Sequence, residues 1–395
     1  MKILFVNDYG TLVGGAEQGL FSLRDELRRR GHDVRFFASS AGDRGDFVAD
    51  YRCFGTTSRF RTLLQTANFS ATSSLRRVLA DFQPDVVQVK MFLTQLSPLI
   101  LPVLRKVPSI YDVAWYRPIC PTGTKMLPDG RSCQDAPGAV CWRGGCLPFS
   151  DWAPLMIQMK LWRRWRNVFR FILAHSEAVK KRLLQEGIGP VTVVPHGLAE
   201  APSRVPLTAQ PTVVFAGRLV REKGVDVLLR AFSKVTARIP GARLLVAGEG
   251  KESAAIRRQI DRSDLRSSVS MLGFLGHSDL ERAFAGAWVQ AVPSVWEEPF
   301  GIVAVEAMMR GTAIVATNSG GLAEIVEEGH TGFLVPANNE DDLAQALLRL
   351  LGDRPTAESM GAAAHRRARD RFGISRYADN MLSIYERLSK TKGMP

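Results

Sequence analysis

Short apolar segments alternate with longer amphipathic segments along this chain, and the whole alternation occurs twice. Each apolar segment has the length and the content of β-branched and aromatic residues that are typical of a buried strand. In the first half, strands are predicted over residues 2–6, 33–39, 84–89 and 109–113, and a helix over residues 15–30. Strands that alternate with helices in this way predict an α/β fold with a parallel, doubly wound sheet.

The alternation starts again after residues 195–211, a segment rich in Pro and Ala that predicts a linker. The second set of predicted strands is 212–216, 242–247, 269–272, 288–292 and 313–317, with helices over 225–237 and 280–285. Two more helices are predicted over 356–372 and 375–389. A chain of 395 residues is long enough for two domains. We predict two Rossmann-like domains that face each other across a cleft, with ligands at the carboxyl ends of the strands.

Positive charge is concentrated in the first half of the chain. Residues 1–195 contain 27 Lys and Arg against 16 Asp and Glu, whereas the remaining residues contain 25 against 23. This excess favours nucleic acid, a phospholipid surface or a phosphorylated substrate as partner, although charge that serves solubility alone would look the same. The apolar start of the chain is too short for a signal peptide, and no apolar run reaches the roughly 18 residues of a membrane span. We therefore expect a cytoplasmic protein.

Two cations follow the predicted strand 212–216 at a turn that contains Gly217 and Gly224. Glycine lets the backbone approach an anion, and the start of a helix adds partial positive charge. Arg218 could bind phosphate oxygens bidentately, and Lys223 could act as a movable point charge. The turn predicts an exposed phosphate site, with a solvated basic turn as the alternative.

Two acids mark the start of another predicted helix. Glu298 precedes the sequence Pro-Phe-Gly, and Glu306 lies eight residues later. After Gly301, the backbone amides of Ile302 and Val303 lie at a helix start, where they lack intrahelical partners. Carboxylates accept strong hydrogen bonds from hydroxyl groups, so Glu298 suits a sugar and Glu306 a diol such as ribose. The alternative is a pair between Glu306 and a nearby Arg, with Glu298 only capping the helix.

Taken together, these motifs resemble those of the retaining group 1, or family 4, glycosyltransferases of GT-B fold, of the type that makes bacterial polysaccharides and other glycans. The matching residues are Gly14-Gly15-Ala16-Glu17, Gly217-Arg218, Lys223-Gly224, Glu298-Pro299-Phe300-Gly301 through Glu306, and Ser319-Gly320-Gly321. The resemblance implies transfer of a sugar from a nucleotide diphosphate donor, a UDP- or GDP-sugar, to a hydroxyl acceptor that is a glycan or a lipid-linked intermediate. It also implies three segments: an acceptor-side domain over 1–195, a nucleotide-sugar domain over 205–370, and a C-terminal helix over 371–395 that crosses back onto the first domain.

The resemblance also assigns roles to single residues. Arg218, Lys223 and Glu298 would be catalytic, with the two cations on the diphosphate and the acid on the transferred sugar. Glu306 would bind the ribose. The remaining donor-binding residues would be Gly14 and Gly15 over the phosphates, Gly301, Ile302 and Val303 at the diphosphate and sugar, and Phe274 and Leu275 beside the base. Since the chain contains no Asp-x-Asp sequence, we expect these cations rather than a metal ion to serve the diphosphate, without a catalytic cofactor.

Two other functions remain open at this point. A nucleotide-sugar epimerase of GT-B architecture would use the same donor site without an acceptor. A nucleic-acid-binding protein would fit the sequence pI of about 9.8, but it would leave Glu298 and Glu306 without a role. We therefore expect no nucleic-acid partner.

Two positions depart from the family pattern. At the first, His196-Gly197 replaces a usual Asn-Gly turn, which His tolerates. The second is Tyr111, which stands at the strand end where family members commonly carry a His that reaches the donor sugar or the acceptor. A phenol cannot shuttle protons near neutral pH. This departure concerns donor recognition rather than the fold.

A polar insertion over residues 117–150 contains four cysteines. Cys120, Cys133, Cys141 and Cys146 would suit a structural zinc ion that replaces a hydrophobic core. The insertion has no C-x2-C pair, and four free thiols are the alternative. Cys53 is expected to be a buried thiol.

A basic aromatic segment follows the insertion. Over residues 152–173, apolar residues recur at helical spacing, at positions 155, 159, 162, 165 and 169, among five cations. This pattern predicts an amphipathic helix that lies on the anionic surface at the inner face of a membrane. The alternative is a helix in the protein core whose Arg side chains extend to solvent.

Overall fold

The computed structural model describes residues 1–390 except 12–13, 44, 59–60 and 201–204. It contains two compact units. Unit 1 is Met1–Gly197 together with the segment from Ile374 onward, and unit 2 is Leu198–Gly373. Residues 201–204 of the predicted linker and 391–395 of the predicted C-terminal segment lie outside the described residues.

Unit 1 is built on a parallel seven-stranded sheet in the order β3-β2-β1-β4-β5-β6-β7. Its strands are β1 Lys2–Tyr9, β2 Asp33–Ser39, β3 Tyr51–Cys53, β4 Val86–Val89, β5 Ser109–Val113, β6 Phe171–Ala174 and β7 Val191–Val193. The helices between them are α1 Gly15–Arg29, α2 Arg61–Thr66, α3 Phe69–Phe82, α4 Leu101–Leu104, α5 Val140–Arg143, α6 Phe149–Trp165 and α7 Glu177–Gln185. Polar caps fix two helix starts, because Asn68 accepts from the Ala71 amide and Ser176 from the Val179 amide.

Unit 2 is built on a parallel six-stranded sheet in the order β10-β9-β8-β11-β12-β13. Its strands are β8 Thr212–Ala216, β9 Arg243–Ala247, β10 Val269–Gly273, β11 Val289–Val292, β12 Ala313–Thr317 and β13 Gly332–Val335. Its helices are α8 Val225–Thr236, α9 Ser253–Asp261, α10 His277–Phe284, α11 Ile302–Arg310, α12 Leu322–Ile325, α13 Glu340–Leu351 and α14 Arg354–Phe372. The apolar faces of α8 and α13 close the main core of this unit against β8, β9 and β11.

The last helix, α15 Ile374–Lys390, belongs to unit 1. Its face formed by Tyr377, Met381, Tyr385 and Leu388 is buried in the same core as Leu23 of α1. The predicted return of the C-terminal helix to the first unit is therefore confirmed. The functional roles predicted for residues 1–195 and 205–370 stay predictions.

The basic aromatic segment differs from the predicted helix. Helix α6 ends at Trp165, and Phe171–Ala174 form strand β6, so the prediction of one helix through residue 173 is wrong. Leu155, Met159 and Trp162 are buried, so the apolar stripe packs inside unit 1 instead of facing a membrane. Among the described residues, no helix combines the length and the apolar character needed to cross a bilayer.

Candidate active site

The loops at the carboxyl edge of the unit 2 sheet are joined to one another by backbone hydrogen bonds. Gly217 after β8 donates to Ala247 at 3.1 Å, and Gly248 after β9 donates to Gly273 at 2.7 Å. On the other side, Val295 after β11 donates to Glu222 at 3.0 Å. These contacts connect four neighbouring strand ends into one continuous edge.

The turn after β12 completes this edge through contacts to the loop that carries Glu298. The Gly321 amide donates to the Glu298 carbonyl oxygen at 2.7 Å, and the Ser319 hydroxyl donates to the Trp296 carbonyl oxygen at 3.0 Å. Gly320 has a φ of +58°, and a Cβ atom there would lie 2.1 Å from the Glu298 carbonyl oxygen. Glycine is required at this position because both the backbone conformation and the contact exclude a side chain.

Lys223 and Glu298, predicted to bind different parts of the donor, form one ion pair. Lys223 Nζ lies 2.9 Å from Oε1 and 2.8 Å from Oε2 of Glu298. The same Oε2 atom accepts from Ser294 Oγ at 2.8 Å and from Trp296 Nε1 at 2.9 Å. Lys223 is thus held by a buried carboxylate, which corrects the expectation that both cations of its turn are exposed.

The charge of this pair is fixed by its surroundings. Burial alone would raise the pKa of Glu298, but the charge of Lys223 and the hydrogen bonds from Lys223, Trp296 and Ser294 outweigh it. The pKa of Glu298 therefore lies below its usual value, and the carboxylate is ionised at neutral pH. Lys223 also lies 5.3 Å from the centroid of the Trp296 ring, a cation–π contact.

Arg218 differs from Lys223 in its freedom to move. Its side chain is 63% exposed, and its nearest acid is Glu222, with Nη2 3.7 Å from Oε1. A contact of this length at an exposed site contributes little to stability. The guanidinium is therefore available to an anion at the edge of the sheet.

Helix α11 presents the other predicted donor residues. It begins after Gly301, which has a φ of +105°, and no side chain caps its first turn. The first-turn amides of Ile302 and Val303 have no acceptor within the helix, and the positive end of the helix dipole lies there. Glu306 is half-buried one turn further along. Arg310, at the end of the same helix, donates to Glu281 and Gln290.

The residues predicted to lie beside the base follow β10. Gly273 ends this strand with a φ of +68°, and its carbonyl accepts from Gly248. Phe274 comes next and its side chain is 70% exposed, whereas Leu275 packs at the edge of a small core. An exposed ring at the carboxyl edge of the sheet offers a face on which a base could stack.

Gly14 and Gly15 lie in unit 1, where α1 begins. Glu17 is buried just behind them and accepts from Asn7 Nδ2 at 3.4 Å. Burial raises the pKa of Glu17 to about 7, against the hydrogen bond from Asn7 and the charge of Lys90. The acid is therefore partly protonated at neutral pH, which sequence reasoning did not anticipate.

A buried polar cluster near the strand ends of unit 1 was also missed. Lys90 Nζ lies 2.9 Å from Asp112 Oδ2, 2.7 Å from His175 Nε2 and 3.2 Å from His196 Nε2. The two imidazole rings stack with centroids 3.4 Å apart. Burial lowers the pKa of Lys90 and of both histidines, whereas the charges of Lys90 and His175 overcome burial and lower that of Asp112. The only signal in the sequence was a polar residue just after or inside two predicted strands, Lys90 after β4 and Asp112 in β5.

Tyr111 faces away from this cluster. It is 2% exposed and its ring lies 5.2 Å from Phe92, 5.3 Å from Trp162 and 5.2 Å from Phe169. Burial holds the pKa of Tyr111 well above its usual value. Because side chains alternate along a strand, Asp112 points to the opposite face and joins the histidines. Tyr111 therefore packs in the core, on the face of β5 opposite Asp112.

The cysteine insertion does not support the predicted zinc ion. In the part of the chain that the structure describes, no group of three or more His, Cys, Asp or Glu side chains could hold a metal. Cys120, Cys133, Cys141 and Cys146 are free thiols, and Cys120 contacts the Thr122 hydroxyl at 3.1 Å. Buried Lys125 holds the segment instead, since its ammonium donates to the Asp135 carbonyl at 2.7 Å and to Glu186 at 3.0 Å. Cys53 is buried, as expected.

The fold and these strand-end loops define a protein of the GT-B class, with two Rossmann-like sheets in tandem. Residues 14–197 match the glycosyl transferase 4-like domain, and residues 201–367 match the glycosyl transferases group 1. The chain belongs to the group 1 glycosyltransferases. The predicted fold class and the family resemblance are confirmed.

Comparison with single proteins agrees with this assignment. The chain is 30% identical to the alpha-D-kanosaminyltransferase of Streptomyces kanamyceticus over 48% of its own length and 49% of that protein. It is 33% identical to a GDP-mannose-dependent alpha-(1-6)-phosphatidylinositol monomannoside mannosyltransferase of Mycobacterium tuberculosis, over 49% of its own length and 52% of that protein. The chain thus spans about half the length of the curated relatives it matches. The crystal structure of Anabaena HepE in complex with UDP and glucose has the same fold, with a TM-score of 0.72 and 21% identity. The match covers 98% of this chain and 100% of that one.

Proposed function

We propose that this chain is a retaining glycosyltransferase of the hexosyltransferase type, which moves a sugar from a nucleotide diphosphate sugar to a hydroxyl acceptor. The observation that carries this proposal is the Lys223–Glu298 pair at the carboxyl edge of unit 2. It combines a cation for a diphosphate with a carboxylate for sugar hydroxyls, in a loop bound to its neighbours on both sides. Exposed Arg218 adds a second cation at the same edge.

The proposed reaction breaks the bond between the anomeric carbon and the diphosphate oxygen. The acceptor oxygen forms its bond on the same face of the sugar, and its proton passes to the leaving diphosphate. The transition state resembles an oxocarbenium ion, while negative charge collects on the diphosphate. Arg218, Lys223 and the first-turn amides of α11 would stabilise that charge. Because these groups are cationic or dipolar, the reaction would need no metal ion.

The remaining residues would orient the donor. Glu306, one turn inside α11, would bind the ribose, and the backbone at Gly301 would approach the diphosphate. Phe274 and Leu275 would lie beside the base. Gly14 and Gly15 of unit 1 would contribute to the phosphate site.

The acceptor would be a glycan or a lipid-linked intermediate handled by unit 1. The excess of Lys and Arg in residues 1–195 supports an anionic or membrane-associated acceptor. A relative whose name includes phosphatidylinositol monomannoside supports the lipid-linked choice. In that case the protein would work at the inner face of a membrane.

A panel of UDP-glucose, UDP-galactose, UDP-N-acetylglucosamine and GDP-mannose tests the donor. One donor should raise the melting temperature, and Arg218→Ala should reduce that shift, whereas Arg238→Ala, two residues past the end of α8, should not. NMR of the product should give the same anomeric configuration as the donor, and EDTA should leave the rate unchanged. A free sugar or nucleotide sugar with altered ring configuration, formed without acceptor, would point to the epimerase instead. If none of these donors binds, and neither UDP nor GDP binds, both the glycosyltransferase and the epimerase are contradicted.

A further inference from the structure

An apolar groove lies on unit 1 between helix α2, helix α6 and the chain that follows β3. Its volume is about 620 Å³, within the range of pockets that hold small molecules. The lining residues are Phe54, Thr56, Ser58, Leu63, Leu64, Thr66, Ala67, Pro154 and Ile157. Hydrogen bonds join its walls, because Thr62 Oγ1 donates to Asp151 at 2.8 Å and Thr66 Oγ1 to the Pro154 carbonyl at 3.0 Å. The groove is therefore a built feature of the two helices.

The groove is open and its apolar lining is exposed. Phe54 is 57% exposed, Leu63 is 62% exposed and Ile157 is 55% exposed. Phe149 and Trp142, which are also exposed, pack edge to face at the start of α6 with ring centroids 5.4 Å apart. Large exposed apolar side chains that line one groove mark a site that another apolar body covers.

Cations continue the same face of α6. Lys160 and Arg164 lie three and seven residues after Ile157, so the helical period places all three on one side. Both side chains are exposed, and within the described ranges neither forms an ion pair. Arg163, on the adjacent side, pairs with Glu186 at 3.5 Å. The face thus runs from an apolar groove to two uncompensated positive charges, Lys160 about 5 Å and Arg164 about 10 Å further along the helix axis.

We propose that this groove receives the apolar chain of an anionic membrane lipid, while Lys160 and Arg164 contact the phosphate headgroup. An apolar site bordered by cations matches an amphiphile with an anionic head, and exposed Trp and Phe suit the bilayer interface. This surface is the opposite side of α6 from the buried stripe of Leu155, Met159 and Trp162. The proposal rests on the proposed function, which gives the protein a reason to meet lipid.

Vesicle sedimentation of the full chain tests the proposal with matched variants. Wild type should sediment with phosphatidylcholine vesicles that contain phosphatidylglycerol, much less with phosphatidylcholine alone, and should be released by salt. Ile157→Glu and Lys160→Gln/Arg164→Gln should each weaken binding at least about tenfold. The controls are Leu184→Glu and Lys181→Gln on α7, exposed residues that do not line the groove, and both should bind like wild type.

Three results would overturn the proposal. The first is an equal loss of vesicle binding in Ile157→Glu and Leu184→Glu. The second is equal binding of the wild type to neutral and anionic vesicles. The third is a wild-type dimer that dissociates in the Ile157→Glu variant. The last would make the groove a contact between copies of this chain. Melting temperatures confirm that each variant is folded, and a thermal shift with UDP or GDP reports donor binding in unit 2. If the wild-type protein binds anionic vesicles but no nucleotide, the proposed function is wrong and the lipid groove stands. If it binds nucleotide but not anionic vesicles, the lipid groove is wrong and the proposed function stands.

Discussion

The ammonium of Lys223 is bound by both carboxylate oxygens of Glu298, although 75 residues separate them in the sequence. The pair forms because β8 and β11 are neighbours in the sheet, which brings the loops after them together. Lys223 is therefore positioned by the protein itself. A sugar hydroxyl that binds Glu298 must share a carboxylate that already accepts from Lys223, Ser294 and Trp296.

The two cations of this loop should respond differently to removal. Lys223→Met leaves a buried carboxylate without its counter-charge, and should lower the free energy of unfolding by about 3–5 kcal/mol. Arg218→Ala removes an exposed side chain, so its effect on stability should stay within about 0.5 kcal/mol while diphosphate binding weakens. Denaturant unfolding with UDP titration measures both. The double variant Lys223→Met/Glu298→Gln should recover part of the lost stability, and an additive loss would contradict the pair.

Gly320→Ala should disturb the loop that carries Glu298. The new Cβ would meet the Glu298 carbonyl at 2.1 Å in a left-handed backbone, which costs about 1–3 kcal/mol and displaces the loop that carries Glu298. Gly241→Ala is the control, since a Cβ there meets nothing within 4 Å and the backbone is not left-handed. Unfolding and nucleotide titration of both variants should separate them. Equal behaviour would mean that the turn after β12 does not fix the loop.

Glu17 should make unit 1 less stable as the pH rises. Its pKa is about 7 in the folded chain and about 4.3 when unfolded, so the folded state binds more protons between these values. Stability is therefore lost as the pH rises through that window, and it should fall by about 1–2 kcal/mol from pH 5.5 to 7.5 on account of this group. Glu17→Gln should remove that part of the slope. A profile that parallels wild type would contradict the raised pKa.

Asp112 should be the most sensitive position of the buried cluster. Asp112→Asn leaves Lys90 in the interior without its anion, so the free energy of unfolding should fall by about 3–5 kcal/mol. Asp112→Asn/Lys90→Met removes both charges and should be more stable than the single variant. Thermal and denaturant unfolding test this order. Conversely, a double variant weaker than Asp112→Asn would mean that the hydrogen bonds of Lys90 to the histidines outweigh its charge.

Most of the fold could be predicted from the sequence because most strands of the two sheets are short apolar runs with clear ends. β2, β5, β8 and β12 have the predicted bounds. Strand β7 was not predicted because its three residues are too few to show a strand pattern. Strand β6 was hidden because Trp165 and Phe169 continue the helical spacing of α6 past its end.

Candidate site residues could be named one by one from the sequence, but their contacts could not, and their roles stay predictions. Glycines and acids after strands indicated where a donor could bind. The Lys223–Glu298 pair depends on strand order, and Lys90, Asp112, His175 and His196 lie on or just after four different strands. Sequence spacing carries no signal for contacts of that kind.

Helix α15 has a consequence for how this protein is made. Synthesis proceeds from the amino end, so residues 1–197 leave the ribosome long before the helix that fills their core. Until then, the surfaces of α1 and β4 that receive Tyr377, Met381 and Tyr385 stay open to water or to chaperones. Unit 2 is continuous in sequence and can fold while unit 1 waits. A chain cut short by its last twenty or so residues would therefore fail in its first half, far from the cut.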